Sequence, residues 1–268
     1  VSNIGLVGGA ITGNGDTGSL AGFVDTGGLV HRSYASASVT GNSNFIGGLV
    51  GHNSGTITES FAAGNVSSTG SSAGGLVGVN EIGGIITDAY ATGHVHAPSF
   101  AGGFAGGNRG TLTNVYARGR VTGNPGGLTL HNTGTITNGY YDQDTAGTTS
   151  GEGTGRSTSQ MQSSLPSGFS STVWGGGAGL YPYFKWRFAS TPVAVKGTAT
   201  IGGAALTGGA VSILNNGALL DKLSTGANGA FYQVYDASQI DPSGVIGFLD
   251  DLPQDGASFS NVLSGTYY

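Results

Sequence analysis

The stretch from Gly47 to Val66 returns along the first half of the chain, and that return restricts the fold more than any other feature. It reads Gly47-Gly48-Leu49-Val50-Gly51-His52-Asn53-Ser54-Gly55-Thr56-Ile57-Thr58-Glu59-Ser60-Phe61-Ala62-Ala63-Gly64-Asn65-Val66. It comes back as Gly74-Gly75-Leu76-Val77-Gly78-Val79-Asn80, continuing through Ile86-Thr87-Asp88-Ala89-Tyr90-Ala91 to Val95. A third copy runs from Gly102-Gly103-Phe104 to Val121 and a shortened fourth from Gly126-Gly127-Leu128 to Tyr140. An eroded earlier copy runs from Ala21-Gly22-Phe23-Val24 to Val39. The second glycine of each pair recurs after 27, 28 and 24 residues (48 to 75, 75 to 103, 103 to 127). A period in the twenties, marked by glycine and single apolar residues, is the signature of a solenoid.

Within one copy, Leu49-Val50 makes a short apolar strand, and Thr56-Ile57-Thr58 alternates polar and apolar as a strand with one buried face does. Neither is long enough to bury its side chains alone. Coils stacked about 4.8 Å apart turn equivalent positions into continuous rows. Leu49, Leu76, Phe104 and Leu128 are expected to form one internal row, and Ile57, Ile86, Leu112 and Ile136 another. Asn53, Asn80, Asn108 and Asn132 share one position, where stacked amides can pass hydrogen bonds from coil to coil. The parity of the aromatic position (Phe61, Tyr90, Tyr116) stays open. The preceding position, Glu59/Asp88/Asn114/Asn138, reads as a corner that resets the alternation.

Glycine supplies 54 of 268 residues and only 9% are charged, so solubility rests on hydroxyls and amides. The formal charge is −5, and the only lysines, Lys185, Lys196 and Lys222, lie beyond the repeats. Nucleic-acid binding needs clustered Lys and Arg, which this pattern excludes. No run is long and apolar enough for a membrane span. The chain has no Cys, which fits large exported bacterial surface proteins. It opens inside a broken repeat, Ile4-Gly5-Leu6-Val7-Gly8, and reads as a piece of something longer.

The pattern G-G-L-V-G-x-N-x-G-x-I-x-x-S-Y-A-x-G-x-V closely resembles the GLUG repeat over residues 21–141, most fully at 47–66 and 74–95. That repeat occurs in large exported bacterial proteins, notably filamentous-haemagglutinin-like exoproteins of two-partner secretion and some immunoglobulin A peptidases. The resemblance implies an all-β fold whose residues 1–141 form a right-handed parallel β-helix. It also implies export through an outer-membrane transporter to the cell surface. It brings no catalytic residues, and the H-E-x-x-H zinc motif of the peptidase branch is missing. The eroded copy lacks the Asn, and Thr129-Leu130 stands where the last copy should have Val-Gly.

Residues 142–190 change character. They hold both tryptophans and the one methionine, and read as an aromatic cap or connector, with Phe169, Trp174, Tyr183 and Trp186 over the last coil. A sharper reading makes Trp174, Tyr183 and Trp186 a glycan-contact platform. Residues 191–268 read as an Ig-like or carboxypeptidase-regulatory-like antiparallel β-sandwich with Asn-Gly hairpin signals at Asn216-Gly217 and Asn228-Gly229. Its end, Pro242 to Tyr268, is weakly patterned and leaves the module incomplete.

Several motifs of chemical interest fail on context. Gly13-Asn14-Gly15-Asp16-Thr17-Gly18 matches G-x-G-x-x-G, but no helix follows. Gly70-Ser71-Ser72-Ala73-Gly74 matches a nucleophile elbow without its strand-to-helix turn. Residues 1–140 hold five acids, Asp16, Asp25, Glu59, Glu81 and Asp88, too few and too scattered for a carbohydrate-cleaving β-helix. His94 and His96 would share a strand face but want a third metal ligand. Asp142 and Asp144 are a weak Ca²⁺ candidate; no other cofactor is expected. Thr56/Thr58, Thr111/Thr113 and Thr135/Thr137 suggest the threonine ladders of some ice-binding β-helices, with Ile85 interrupting one row.

The sequence therefore points to a non-enzymatic segment of a large secreted bacterial adhesin. Such a segment would mediate attachment, aggregation or biofilm formation through host or bacterial cell-surface glycans or proteins. The alternative is a subunit that assembles with copies of itself into an extracellular fibre or matrix. A carbohydrate-active enzyme and an ice-binding protein rank below both.

Overall fold

The structure, a computed structural model, describes residues 1–42 and 45–249. It is all-β, 56% strand and 6% helix, and its contacts divide it into two units. The first is Val1–Thr158 with Pro166–Phe169; the second is Ser159–Leu165 with Ser170–Tyr268, described here to Leu249.

The first unit is a parallel β-solenoid of about five turns. Each coil passes through three faces. The asparagine face stacks Ala21–Val24, Val50–Asn53, Val77–Asn80, Ala105–Asn108 and Thr129–Asn132. The long-strand face stacks Thr56–Ala62, Ile85–Ala91, Thr111–Ala117 and Thr135–Asp142, preceded by the split strand Leu29–His31 and Tyr34–Ala35. The third face contains Ser38–Gly41 and Phe45–Gly47, then Val66–Ser68 and Ser72–Gly74, then Val95–Gly102 and Val121–Gly126.

Registry is strict because each residue pairs with its own equivalent one coil on. Ile57 pairs with Ile86, Ile86 with Leu112 and Leu112 with Ile136. Leu49, Leu76 and Phe104 each donate a backbone hydrogen bond to the next member of their row, ending on the Leu128 carbonyl. Leu49, Leu76, Phe104, Leu128, Ile57, Ile86 and Leu112 are fully buried in one apolar cluster, and Ile136 packs half-buried against it. Such fully buried side chains each contribute roughly 1.5–3 kcal/mol over their exposed state. The glycine pair is what lets the chain turn tightly between the third face and this row. A Cβ at Gly75 would lie against the Gly103 carbonyl oxygen and the Cβ of Ala91.

The corner at Arg32, Glu59, Asp88, Asn114 and Asn138 is left-handed, with φ of 46°, 46°, 50°, 53° and 54°. Asn and Asp tolerate that region better than other side chains with a Cβ. One left-handed residue resets the alternation, so Ser60 and Ala62 are fully buried inward and Phe61 faces the other way. This fixes the parity of the aromatic row. Ala35, Ala62, Ala91 and Ala117 belong to the core cluster, whereas Tyr34, Phe61, Tyr90 and Tyr116 stack outside it with ring centroids 4.8, 4.6 and 5.1 Å apart.

One sequence expectation about this unit needs correction. The eroded copy does not begin at Ala21-Gly22-Phe23-Val24. Ala21 pairs with Val50, Phe23 with His52 and Val24 with Asn53, so Leu20 takes the apolar row position, its N–H bonded to the Leu49 carbonyl. The broken repeat at Ile4-Gly5-Leu6-Val7-Gly8 is a partial coil, Gly5 pairing with Tyr34 and Leu6 with Ala35. The register is set by inward packing, which the spacing of glycines only approximates. Within this unit the last coil is overlaid by residues 143–156, the first part of the expected cap. Tyr141 and Ala146 join the core cluster, Gly127 N–H donates to the Ser150 carbonyl, and Glu152 N–H donates to the Thr129 carbonyl. Of the expected cap aromatics, Phe169 lies in this unit, its ring 6.4 Å from Tyr116 and 5.9 Å from Tyr140.

The second unit holds the other three. The hairpin Trp174–Gly177 with Leu180–Phe184 pairs Trp174 opposite Phe184. Beyond it, Val193–Thr198 pairs antiparallel with Ala230–Tyr235, and Ala210–Asn215 pairs with both Ala218–Ser224 and Val245–Leu249. These two antiparallel sheets share one core of Val195, Val211, Ile213, Phe231, Ile240 and Val245. Asn216 and Gly217 form a two-residue hairpin loop with φ of 50° and 81°, as their sequence demands. Asn228-Gly229 differs from its expectation: it links Ala218–Ser224 to Ala230–Tyr235, which lie in different sheets. Tyr235 donates to Asp221 across the two sheets at 3.3 Å. Burial raises the pKa of Asp221, and burial together with the Asp221 charge raises that of Tyr235. The expectation for Pro242 to Tyr268 falls mostly outside the described residues.

Candidate functional site

The most developed polar arrangement is the asparagine row. Asn53 Nδ2 donates to Asn80 Oδ1 at 2.8 Å, Asn80 Nδ2 to Asn108 Oδ1 at 2.9 Å, and Asn108 Nδ2 to Asn132 Oδ1 at 2.7 Å. The second amide hydrogen of each closes its own corner on the carbonyls of Gly55, Gly84, Gly110 and Gly134. Asn53, Asn80 and Asn108 are fully buried. The row has a direction, and so it has a beginning. Asn53 Oδ1 faces the preceding coil, where Val24 stands at the equivalent position, and it accepts no hydrogen bond from the chain. Apart from Asn53 Oδ1 the ladder is satisfied within itself, and it holds the coils together.

The corner row forms a second ladder. Arg32 Nε donates to Glu59 at 2.9 Å, Asn114 Nδ2 to Asp88 at 3.2 Å, and Asn138 Nδ2 to Asn114 Oδ1 at 3.0 Å. Glu59 and Asp88 are thus adjacent, but each is held by a neighbour from its own row. The remaining acids of the coils are also engaged. Asp16 lies 3.4 Å from His52 Nδ1, Asp25 accepts from Thr26 N–H, and Glu81 meets Arg109 at 2.8 Å.

Asp142 and Asp144 do come together, around Thr158. Asp142 is fully buried and caps the helix Gln143–Ala146, accepting from the N–H groups of Asp144 and Thr145. Its other oxygen accepts from the Thr158 hydroxyl at 2.7 Å, and Asp144 accepts from Thr158 N–H at 2.9 Å. Among the described residues no group of three His, Cys, Asp or Glu side chains could hold a metal ion. The carboxylate pair serves as helix cap and as a clamp on Thr158. His94 and His96 part company: His94 Nδ1 accepts from Arg120 N–H, and His96 Nδ1 meets Thr122 Oγ1 at 3.0 Å.

The glycan platform is corrected by burial. Trp174 is fully buried against Phe184, ring centroids 4.2 Å apart, and Tyr183 is 8% exposed. Sugar stacking requires an open ring face, and of the three only Trp186 is half-buried, stacked on Phe184 at 5.6 Å. The nearby Lys196 ammonium donates to Gln162 Oε1 and to the Gly179 carbonyl, and burial lowers its pKa.

One cluster escaped the sequence reading. Phe23 and His52 occupy one row of the asparagine face; His52 lies 4.4 Å from Phe23 and 5.6 Å from Phe45 on the third face. Phe100 and His131 repeat the association further along at 5.9 Å. The signal was obscured because placing Phe23 in the apolar row hid its outward register with His52.

With this geometry in view, the comparisons are specific on one point. Residues 69–95, one full coil, match the family model described as the GLUG motif. No curated protein and no solved structure matched the chain. The structure and the match together define a β-solenoid carrying a GLUG motif. Among the described residues no helix is long and apolar enough to cross a membrane.

Proposed function

We propose that this chain is a structural, non-enzymatic segment of a large secreted bacterial adhesin, displayed at the cell surface and serving attachment or aggregation. The observation that carries this reading is the fate of its acids. Of the five carboxylates of residues 1–140, four hydrogen-bond to groups of the chain itself and Asp16 lies 3.4 Å from His52 Nδ1, while the buried amides run coil to coil. Catalysis needs acids and bases aimed at a substrate; here each acid faces a neighbouring group of the chain. Export by a two-partner route through an outer-membrane transporter belongs to the same proposal, as do partners among cell-surface glycans or proteins and a place in biofilm.

Self-assembly into a fibre is the second reading, and the solenoid's edges favour it in part. Gly5–Leu6, Ala10–Gly13, Thr17–Gly18 and Ala21–Val24 each end a sheet, and unpaired edges template strand addition. The opposite end is overlaid by residues 143–156, so end-on growth would stop at pairs and a filament would need side contacts. Negative-stain electron microscopy across a concentration series, followed by glycan-array and cell-binding assays on the purified chain, separates the readings. Isolated rods that bind a glycan or cell support adhesion. Regular filaments without binding overturn it in favour of the fibre.

A further inference from the structure

The long-strand face carries a feature that neither reading uses. Its outward positions flank the buried Ile57 row on both sides, and the register aligns them without a slip. Thr58 pairs with Thr87, Thr87 with Thr113 and Thr113 with Thr137, an unbroken row over four coils. Thr56, Ile85, Thr111 and Thr135 form the neighbouring row. Seven of eight positions are therefore threonine, and the register confines the interruption to Ile85.

The array is regular in two directions. Along the solenoid axis its members repeat at the inter-strand spacing of about 4.8 Å, and along each strand at two residues, about 6.6 Å. All seven threonines are half-buried or exposed. Among the described residues, none of their hydroxyls bonds to another group of the chain. Their hydrogen-bonding capacity points away from the protein. No charge interrupts the eight positions; the nearest, Glu59 and Asp88, belong to the corner row and are bonded within it.

A neutral lattice of hydroxyls and methyls suits a partner that is itself periodic, uncharged and made of hydrogen-bonding oxygens. We propose that this face binds ice. Methyl groups between the hydroxyls order water in a cage-like layer, and the hydroxyls anchor that layer at fixed repeats; the ordered water then merges with the oxygen lattice of the crystal. A crystalline polysaccharide is the less suitable partner, because sugar faces are gripped by exposed aromatic rings and the array has none. The proposal stands independently of whether the segment attaches cells.

The test uses the whole chain, fluorescently labelled, in a slowly growing ice hemisphere, with thermal hysteresis measured in parallel. Incorporation into ice and a hysteresis gap are expected for the unaltered chain. Thr113→Tyr, which breaks flatness at the middle of the array, is expected to lose most of the hysteresis. Thr122→Tyr on the third face should keep it. Circular dichroism melts establish that both variants fold; should T113Y not fold, Thr137→Tyr at the array's edge replaces it and is expected to reduce the gap at least twofold. Exclusion of the unaltered chain from ice overturns the proposal. Binding to cellulose or chitin particles without uptake into ice overturns it equally.

Discussion

The two units solve the same problem of burying apolar side chains by opposite means. In the solenoid, each buried residue meets its own equivalent from the next coil, so Ile57 touches the row of Ile86 and Leu112. In the second unit, Val195 and Phe231 of one sheet meet Val211 and Ile213 of another, residues with no repeat relation. Polar groups divide the same way. The solenoid runs amides along its axis, whereas the second unit sets a Tyr235–Asp221 bond between its two sheets. The contrast teaches that repetition makes each coil's stability a matter of its two neighbours, while the antiparallel unit depends on long-range closure.

The largest expected effect comes from forcing neighbouring coils apart. Gly75→Ala sets a Cβ against the Gly103 carbonyl and should cost about 3 kcal/mol, read from urea denaturation. Gly217→Ala in the second unit, at a positive φ of 81° with open space around it, should cost only about 1 kcal/mol. Equal costs would remove the claim that coil contact, rather than backbone conformation, sets the solenoid's glycines.

Next is Asn80→Ala. It leaves Asn108 Oδ1 buried without its donor and takes the acceptor from Asn53 Nδ2, a loss of about 2–3 kcal/mol. Asn132→Ala, at the half-buried end of the ladder, should lose about 1 kcal/mol. Position in the row, not the residue type, then decides the cost. The converse substitution, Val24→Asn, supplies the donor that Asn53 Oδ1 lacks. It should stabilise the chain by about 1 kcal/mol, and a neutral or lower melting temperature would count against extension of the ladder.

The smallest effect belongs to the second unit. Burial raises the pKa of Asp221 in the folded chain. A raised value means the group's contribution is fully present below the ordinary aspartate pKa of about 3.9 and is lost as pH rises through the folded value. Asp221→Asn should therefore flatten the melting temperature of the second unit over that interval, measured calorimetrically from acid to neutral pH. An unchanged pH profile would mean the carboxyl is better solvated than its surroundings imply.

The repeat made the coil rows legible because stacking requires equivalent residues to be alike: Leu49, Ile57 and Asn53 announce themselves four times. The corner was also legible, since Asp88, Asn114 and Asn138 are the residues that a left-handed position favours. Legibility failed where one-dimensional order stops carrying the physics. Phe61 and Tyr90 are apolar whether they point in or out, and the left-handed residue before them reverses the count. Val24 hid the eroded coil's register by replacing its asparagine. Trp174 and Tyr183 looked like a sugar platform because a sequence records aromatic rings but not which of them a hairpin buries. Asp142 and Asp144 looked like ligands until Thr158, fourteen residues beyond Asp144, proved to be their partner.

The central claim is that a directional amide ladder ties the coils together. Hydrogen exchange of the asparagine side-chain amides, followed by NMR, tests it most directly. The Nδ2 protons of Asn53, Asn80 and Asn108 should exchange far more slowly than those of the exposed Asn216, with Asn132 intermediate. Exchange of Asn80 as fast as Asn216 would contradict the ladder and the account of the fold built on it.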